Sequence, residues 1–367
     1  MGKRRDWMPI ASIASSAVAA GSNVYLFLVG MMLLSEAGRR GGLFDYVATN
    51  AVNLARGSAR RLFALIFTAG TVITIFLSND ATAVVLTPAV LTAARKARTR
   101  AMPLLLICAF VANAASFVLP ISNPANLVVF DGNLPALGTW LGRFALPSAL
   151  AIALTYVALR WTQRHLLEAN CAQRLDVLPL RPDGWAAAIG IGITAVALPV
   201  ASACGVSLGF PSAICGAMTA LGVAAFDRRA LWPMLRSVQW SILGLVAALF
   251  VAMEFVLRSG ILRGATKWIE NGFVIALLSN AINNLPIALL ARNLLASSHA
   301  TARAIDDALI GVDLGPNLCI TGSLASILWL GVLRREGERV SFLSFLRVGI
   351  VVMPPALLAA LAARYLI

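Results

Sequence analysis

Two stretches of this chain interrupt membrane-length apolar runs with amides and hydroxyls, and they look like copies of one another. The first, Phe76-Leu77-Ser78-Asn79-Asp80-Ala81-Thr82-Ala83, is closed by Pro88. The second is Leu277-Leu278-Ser279-Asn280-Ala281-Ile282-Asn283-Asn284-Leu285-Pro286. Each is followed by a further polar break: Ser122-Asn123-Pro124-Ala125-Asn126 in the first half, and Asp313-Leu314-Gly315-Pro316 with Thr321-Gly322-Ser323 in the second. Polar backbone survives at bilayer depth only where it is buried in protein or lines a cavity. Paired interruptions at corresponding positions of two halves point to the solute site of a transporter.

Composition agrees with a membrane setting. Hydrophobic residues make up 59% and charged residues 13%, with mean hydropathy +0.84; a soluble domain averages about 45–50% and about 25%. The apolar runs fall near 8–34, 62–94, 101–136, 143–160, 184–204, 210–226, 238–257, 271–296, 308–332 and 341–366, enough for about ten membrane segments. The formal net charge of +14 sits in short loops between these runs, as the positive-inside rule expects. No basic face interleaves with exposed aromatics, so nucleic acid is excluded as a partner. The five cysteines are scattered without CxxC spacing and only two histidines are present, which argues against a metal site. No Gly-Lys-Ser/Thr phosphate loop occurs, so no cofactor and no enzyme activity are expected.

Loop charges set the orientation. Arg39, Arg40, Arg56, Arg60 and Arg61 precede the 62–94 run, and Arg95, Lys96, Arg98 and Arg100 follow it. Both flanks are therefore cytoplasmic, and the run is a re-entrant hairpin with its tip near the midplane. The 101–136 run crosses outward through its break, and the chain returns to Arg160, Arg164, Arg174 and Arg181. Two further crossings reach Arg228, Arg229 and Arg236 before 238–257 leaves again. The 271–296 hairpin then enters from outside, and 308–332 crosses inward to Arg334, Arg335 and Arg339. The expected fold is an all-α polytopic membrane protein, an inverted repeat with two re-entrant hairpins and two broken helices. Its division is 1–61 (scaffold helix and cytoplasmic loop), 62–160 (first repeat, hairpin 62–94, broken helix 101–136), 161–257 (scaffold) and 258–367 (hairpin 271–296, broken helix 308–332, last helix). On this walk Met1 to Arg5 lies outside, against the charge rule, and a shortened N-terminus is the expectation.

The candidate solute ligands are Ser78, Asn79, Thr82, Ser122, Asn123, Asn126, Asn283, Asn284, Thr321, Gly322 and Ser323. Converging helix ends present unpaired N–H and C=O dipoles, and amides both donate and accept. Interhelical hydrogen bonding without a ligand is the alternative. Asp80 and Asp313 are the candidate coupling groups, because a carboxylate at membrane depth marks an ion path; a salt bridge or helix cap is the alternative. Asn113 and Ser116 are placed to line the cavity, Glu36 at the interface, and Glu254 in an ion pair with Arg258. Cys319 falls inside the second break, with apolar packing as its ordinary role.

The segments Leu77-Ser78-Asn79-Asp80-Ala81-Thr82-Ala83-Val84-Val85-Leu86-Thr87-Pro88, Asn283-Asn284-Leu285-Pro286, Asp313-Leu314-Gly315-Pro316-Asn317 and Thr321-Gly322-Ser323-Leu324-Ala325-Ser326-Ile327-Leu328-Trp329-Leu330 resemble the arsenical-resistance efflux permeases of the ion transporter superfamily. The resemblance covers the chain from about Val24 onward, without the upstream helices usual in that family. The proline of Ser122-Asn123-Pro124 is closer to the superfamily's sodium-coupled dicarboxylate carriers. The resemblance implies a multi-pass inner-membrane transporter that exports arsenite or antimonite as the neutral trihydroxide in exchange for protons. It also implies a homodimer and a cytoplasmic arsenite-stimulated ATPase subunit as partners beside the lipid bilayer. The alternative is a sodium-coupled transporter of dicarboxylate or another small anion. A receptor or structural membrane protein without flux is the reading from another class, and predicts that Asn79 and Asn283 tolerate alanine.

Overall fold

The computed structural model describes residues 10–130, 134–259, 269–297 and 300–367. Among them every element is helical, and six helices are long and apolar enough to cross a membrane. Met1 to Arg5, Asp131, Arg263, Lys267 and the side chains of Glu254 and Arg258 lie outside the described residues, and with them the expected Glu254–Arg258 pair.

The first interrupted run folds back on itself. Ala59–Phe76 descends, the chain turns at Leu77 and Ser78, and Asn79–Ala81, a π turn over Thr82–Leu86, and Thr87–Lys96 return. Its two ends meet at one strip of loop: Cys171 N–H donates to Gly57 C=O (3.0 Å) and Ala172 N–H to Ala97 C=O (2.8 Å). Arg95 at the same end reaches Glu336 C=O (2.8 Å) and the Glu338 carboxylate (3.1 Å). The second run does the same with Gly272–Ile282 and Asn284–Ser297. The open end of its first arm, Glu270 to Gly272, lies beside Asp307, Leu361 and Tyr365. There Asp306, fully buried, is paired with Arg143 (3.4 Å) and Arg364 (2.8 Å). Helix Leu137–Thr162 separates these two ends. At 1.5 Å per residue it spans about 39 Å, so the hairpins open toward opposite ends of the molecule. That is the inverted repeat, and the loop-charge walk places its basic end at the first hairpin.

Close packing follows from small residues, as in other membrane bundles. Arm Gly272–Ile282 lies against helix Ala302–Leu314, where a Cβ on Gly272, Gly311 or Gly315 would strike the facing backbone. Helix Ile10–Arg40 lies against Gly209–Phe226 through Gly30, Gly209 and Gly216 in the same way. Helix Phe342–Leu366 packs along Leu137–Thr162, and this pair flanks both breaks.

The breaks leave backbone carbonyls without helical partners, and side chains from neighbouring segments take them up. Asn126 Nδ2 donates to the carbonyls of Ser116, Leu119 and Pro120 (2.9–3.3 Å). Trp140 Nε1 donates to those of Phe117 and Val118 (both 3.2 Å). In the second half Asn280 serves, donating from Nδ2 to Gly315 C=O (2.9 Å) and accepting at Oδ1 from Cys319 N–H (2.9 Å).

Candidate functional site

The two hairpins turn at positions that the repeated letters do not reveal. Ser279-Asn280 lies inside the first arm of its hairpin, whereas Ser78-Asn79 is the turn itself. The resemblance Leu77-Ser78-Asn79 to Leu278-Ser279-Asn280 is thus displaced by one helical turn. The structural partner of Ser78 is Asn283, and that of Asn79 is Asn284, each the first residue of its return arm. Ser78 has an extended backbone and its Oγ accepts from Ala81 N–H (3.2 Å). Asn283 has φ 93°, a strained conformation for a residue with a side chain. Its Oδ1 accepts from Leu285 N–H (3.4 Å) and its Nδ2 donates to Thr321 C=O (3.3 Å).

Asn79 and Asn284 share an uncommon property. Both are buried (3% and 2% exposed), and among the described residues neither amide takes part in any hydrogen bond. A buried amide without partners costs on the order of 1–3 kcal/mol, and here two such amides stand at equivalent positions of the two hairpins.

The broken helices cross reciprocally at the centre. Asn123 caps Pro124–Val129 through Ala125 N–H (3.0 Å) and donates from Nδ2 to Asp313 Oδ1 (2.6 Å). In the other direction Asn113 Nδ2 donates to Asn317 Oδ1 (3.1 Å) and Ser326 Oγ (3.3 Å). Ser326 is itself tied to Ser323, the cap of Leu324–Arg335 (2.9 Å between hydroxyls). Each break also holds its own hairpin. Ser122 Oγ donates to Ile75 C=O (2.9 Å), and Thr321 Oγ1 donates to Asn280 C=O (3.0 Å). Gly322 is required where it stands, because a Cβ there would lie 2.5 Å from Pro316 Cα and 2.7 Å from Asn280 Oδ1.

The carboxylates differ. Asp313 is fully buried, holds Asn123 and keeps Oδ2 without a partner; it is a residue of helix Ala302–Leu314 rather than the cap of the next one. Asp80 makes no hydrogen bond or ion pair among the described residues and opens into a cavity of about 50 Å³ with Ser78 and Pro124. That cavity runs along one face of the first helix to Ser35 and Glu36. Glu36 does not end its helix: it is 8% exposed and lies one turn before the end at Arg40.

The candidate ligands thus divide by role. Ser78, Asn79 and Asp80 line the first tip, with Asn283, Asn284 and Thr321 at the second. Asn123, Asp313, Asn113 and Ser323 build the crossing. Ser122, Asn126 and Gly322 hold the backbone of the breaks. Thr82 is taken up inside its hairpin by Thr74 (2.7 Å between hydroxyls) at the π turn. Asn280 and Asn317 were not singled out as ligands by sequence reasoning, although both are amides in apolar surroundings and that signal was available. Cys319, half-buried, contributes its backbone N–H.

An inverted repeat with paired hairpins, paired breaks and buried polar groups at their crossing defines a membrane transporter. The chain belongs to the CitMHS family, described as citrate transporter, whose model matches residues 7–312. It is 26% identical over 367 residues to the arsenical pump membrane protein of Escherichia coli (strain K12), covering 93% of this chain and 85% of that one. It is 28% identical to an uncharacterized transporter of Mycobacterium tuberculosis, covering 94% and 85%. In fold it is similar to the YdaH transporter of Alcanivorax borkumensis, whose crystal structure is described as having an unusual topology, with TM-score 0.59, 17% identity, and 97% and 87% of the two chains covered. The protein is a multi-pass membrane transporter, of the inner membrane in bacteria, and not an enzyme.

Proposed function

We propose that the protein exports arsenite or antimonite, as the neutral trihydroxide, in exchange for protons. The observation that carries this reading is the pair of unbonded amides at Asn79 and Asn284, with further unpartnered acceptors on Asn113, Asn126 and Asp313. A trihydroxide brings O–H donors to such acceptors and needs no counter-charge. No Lys or Arg stands among the residues of the tips and breaks, so a multivalent anion would enter without a partner, at high cost. Asp80, unpaired and open to the cavity, is the proton carrier; protonated it is neutral and crosses the bilayer depth cheaply.

Transport then follows an elevator-like motion. The hairpins and broken helices within 62–160 and 258–367 move as a body and carry the site past the helices of 1–61 and 161–257. A homodimer would anchor that frame, and an arsenite-stimulated ATPase subunit would dock on the basic end. The test is arsenite uptake into everted vesicles with and without an imposed proton gradient. Gradient-dependent accumulation, lost in Asp80→Asn, supports the reading; absence of arsenite flux overturns it.

A sodium-coupled carrier of citrate or another small carboxylate is the second reading, favoured by the description of the family model. Sodium-driven citrate movement in right-side-out vesicles, without arsenite flux, would move the assignment there.

A further inference from the structure

We infer that Glu36 is a second carboxylate on the proton path, receiving through water the proton that Asp80 releases toward the basic end of the molecule. This rests on Asp80 as proton carrier in the reading above, and adds the route by which its proton leaves.

The inference begins with where Glu36 stands. It lies on the first helix at 8% exposure, in a segment whose preceding residues, Val24 to Leu34, are almost wholly apolar. A carboxylate so placed is costly unless it has a use or a partner. It has partners on one side only: Arg39 donates to both of its oxygens (2.7 and 2.6 Å), and Arg40 to Oε1 (2.7 Å). On the other side it lines the same cavity as Asp80.

The cavity has the size and lining of a short water path. Its volume of about 50 Å³ holds a few waters, since about 10–15 Å³ of such space accommodates one. The polar groups along it are Ser78 and Asp80 at the hairpin tip, then Ser35, Ser237, Gln239 and Glu36. The rest of the wall is apolar: Phe27, Leu28, Met31, Val84, Ile242 and Leu328 among others. Ser35 and Ser237 donate their hydroxyl protons to the Met31 and Met234 carbonyls (2.8 and 2.7 Å), so they accept from waters, and with the Gln239 amide they can hold a water file between the two carboxylates.

The surrounding charges give direction. Apart from Asp80 and Glu36, no charged side chain lines the cavity among the described residues. Beyond Glu36 stand Arg39 and Arg40, whose side chains are 48% and 29% exposed. Asp45 on the following helix draws on Arg39 as well. A proton that reaches Glu36 stands one helical turn from bulk water at the exposed Arg39 and Arg40. The step balances simply: the O–H bond on Asp80 breaks, a water chain relays the proton, an O–H bond forms transiently on Glu36, and the proton leaves to bulk.

The experiment uses the full chain in proteoliposomes with a pH-sensitive dye, without added solute. After a pH jump, proton release that is absent in Asp80→Asn is the signal assigned to Asp80. In Glu36→Gln this release is expected to slow by tenfold or more, and Glu36→Asp is expected to restore most of it. Proton-driven arsenite uptake should fall in parallel, while arsenite–arsenite exchange, which moves no net proton, persists. Unchanged release in Glu36→Gln overturns the inference. So does a Glu36→Asp variant that remains as slow as Glu36→Gln while folding normally, because a nearby carboxylate should relay. If wild-type protein shows no arsenite flux but the dye signal depends on Glu36, the substrate assignment fails and the proton route stands.

Discussion

The first hairpin turns at Ser78 with ordinary extended backbone and hides its tip, with Ser78 and Asn79 nearly inaccessible. The second turns at Asn283 with φ 93°, and leaves Thr321 exposed and Ile282 at 49% exposure beside it. The same backbone device is thus built twice with different chemistry. Asn79 and Asn284 match, but the residue after each does not: Asp80 in one, Leu285 in the other. At the crossing the order reverses, with Asn113 in the first half standing where Asp313 stands in the second. Each half supplies one carboxylate, at a different depth of its own motif.

This comparison can be broken experimentally. The largest effect is expected at Asp80: Asp80→Asn should reduce gradient-driven uptake in everted vesicles to the level of empty vector. Leu285→Ala, at the matching position, should leave the gradient dependence in place. Equal loss from both would end the idea that only one half carries the proton.

Asn79→Ala and Asn284→Ala come next. Each should weaken solute binding by about tenfold, from the loss of one hydrogen-bonding amide worth about 1.5 kcal/mol, read as a shift in the half-saturating arsenite concentration. A large effect from one and none from the other would confine the site to a single hairpin.

Backbone packing sharpens the same contrast. Gly322→Ala should press on the Pro316 backbone and on Asn280 and cost about 1–3 kcal/mol as overpacking, seen as a lower unfolding midpoint in detergent. Ser122→Ala, at the counterpart of Gly322 in the first break, loses the hydroxyl's hydrogen bonds with Ile75 and Leu119 and should cost about 1 kcal/mol. The smallest effect belongs to the turns. Asn283→Gly should be close to neutral, within about 1 kcal/mol, because the relief of positive φ in glycine offsets the loss of its two long hydrogen bonds to Thr321 and Leu285. Ser78→Gly should instead destabilise slightly by removing the hydroxyl cap on Ala81.

Much of this was readable before any fold. Amides at Ser78-Asn79 and Asn283-Asn284 inside membrane-length runs admit few structures, since unpaired backbone cannot face lipid. Arginines on both flanks of 62–94 set the first hairpin's open end, and the described structure brings Gly57 and Ala97 to the same loop. The small residues at Gly272, Gly311 and Gly315 were not read as a helix contact, because a stripe of small residues says nothing about its partner until the partner is placed.

What the sequence determined by itself was therefore the class of fold, the inversion and the positions where polar groups interrupt the apolar runs, all consequences of hydropathy, loop charge and the cost of polar groups in lipid. Only the tertiary structure decided register and role. It made Asn284, the neighbour of Asn283, the counterpart of Asn79, because a turn can be shifted along a hairpin without changing the letters around it. It set Asn123 against Asp313 and Asn113 against Ser326, pairs far apart in the chain that no local pattern links. It also turned Glu36 from a helix end into the far wall of the Asp80 cavity, because burial depends on what packs against a residue and not on the residue itself.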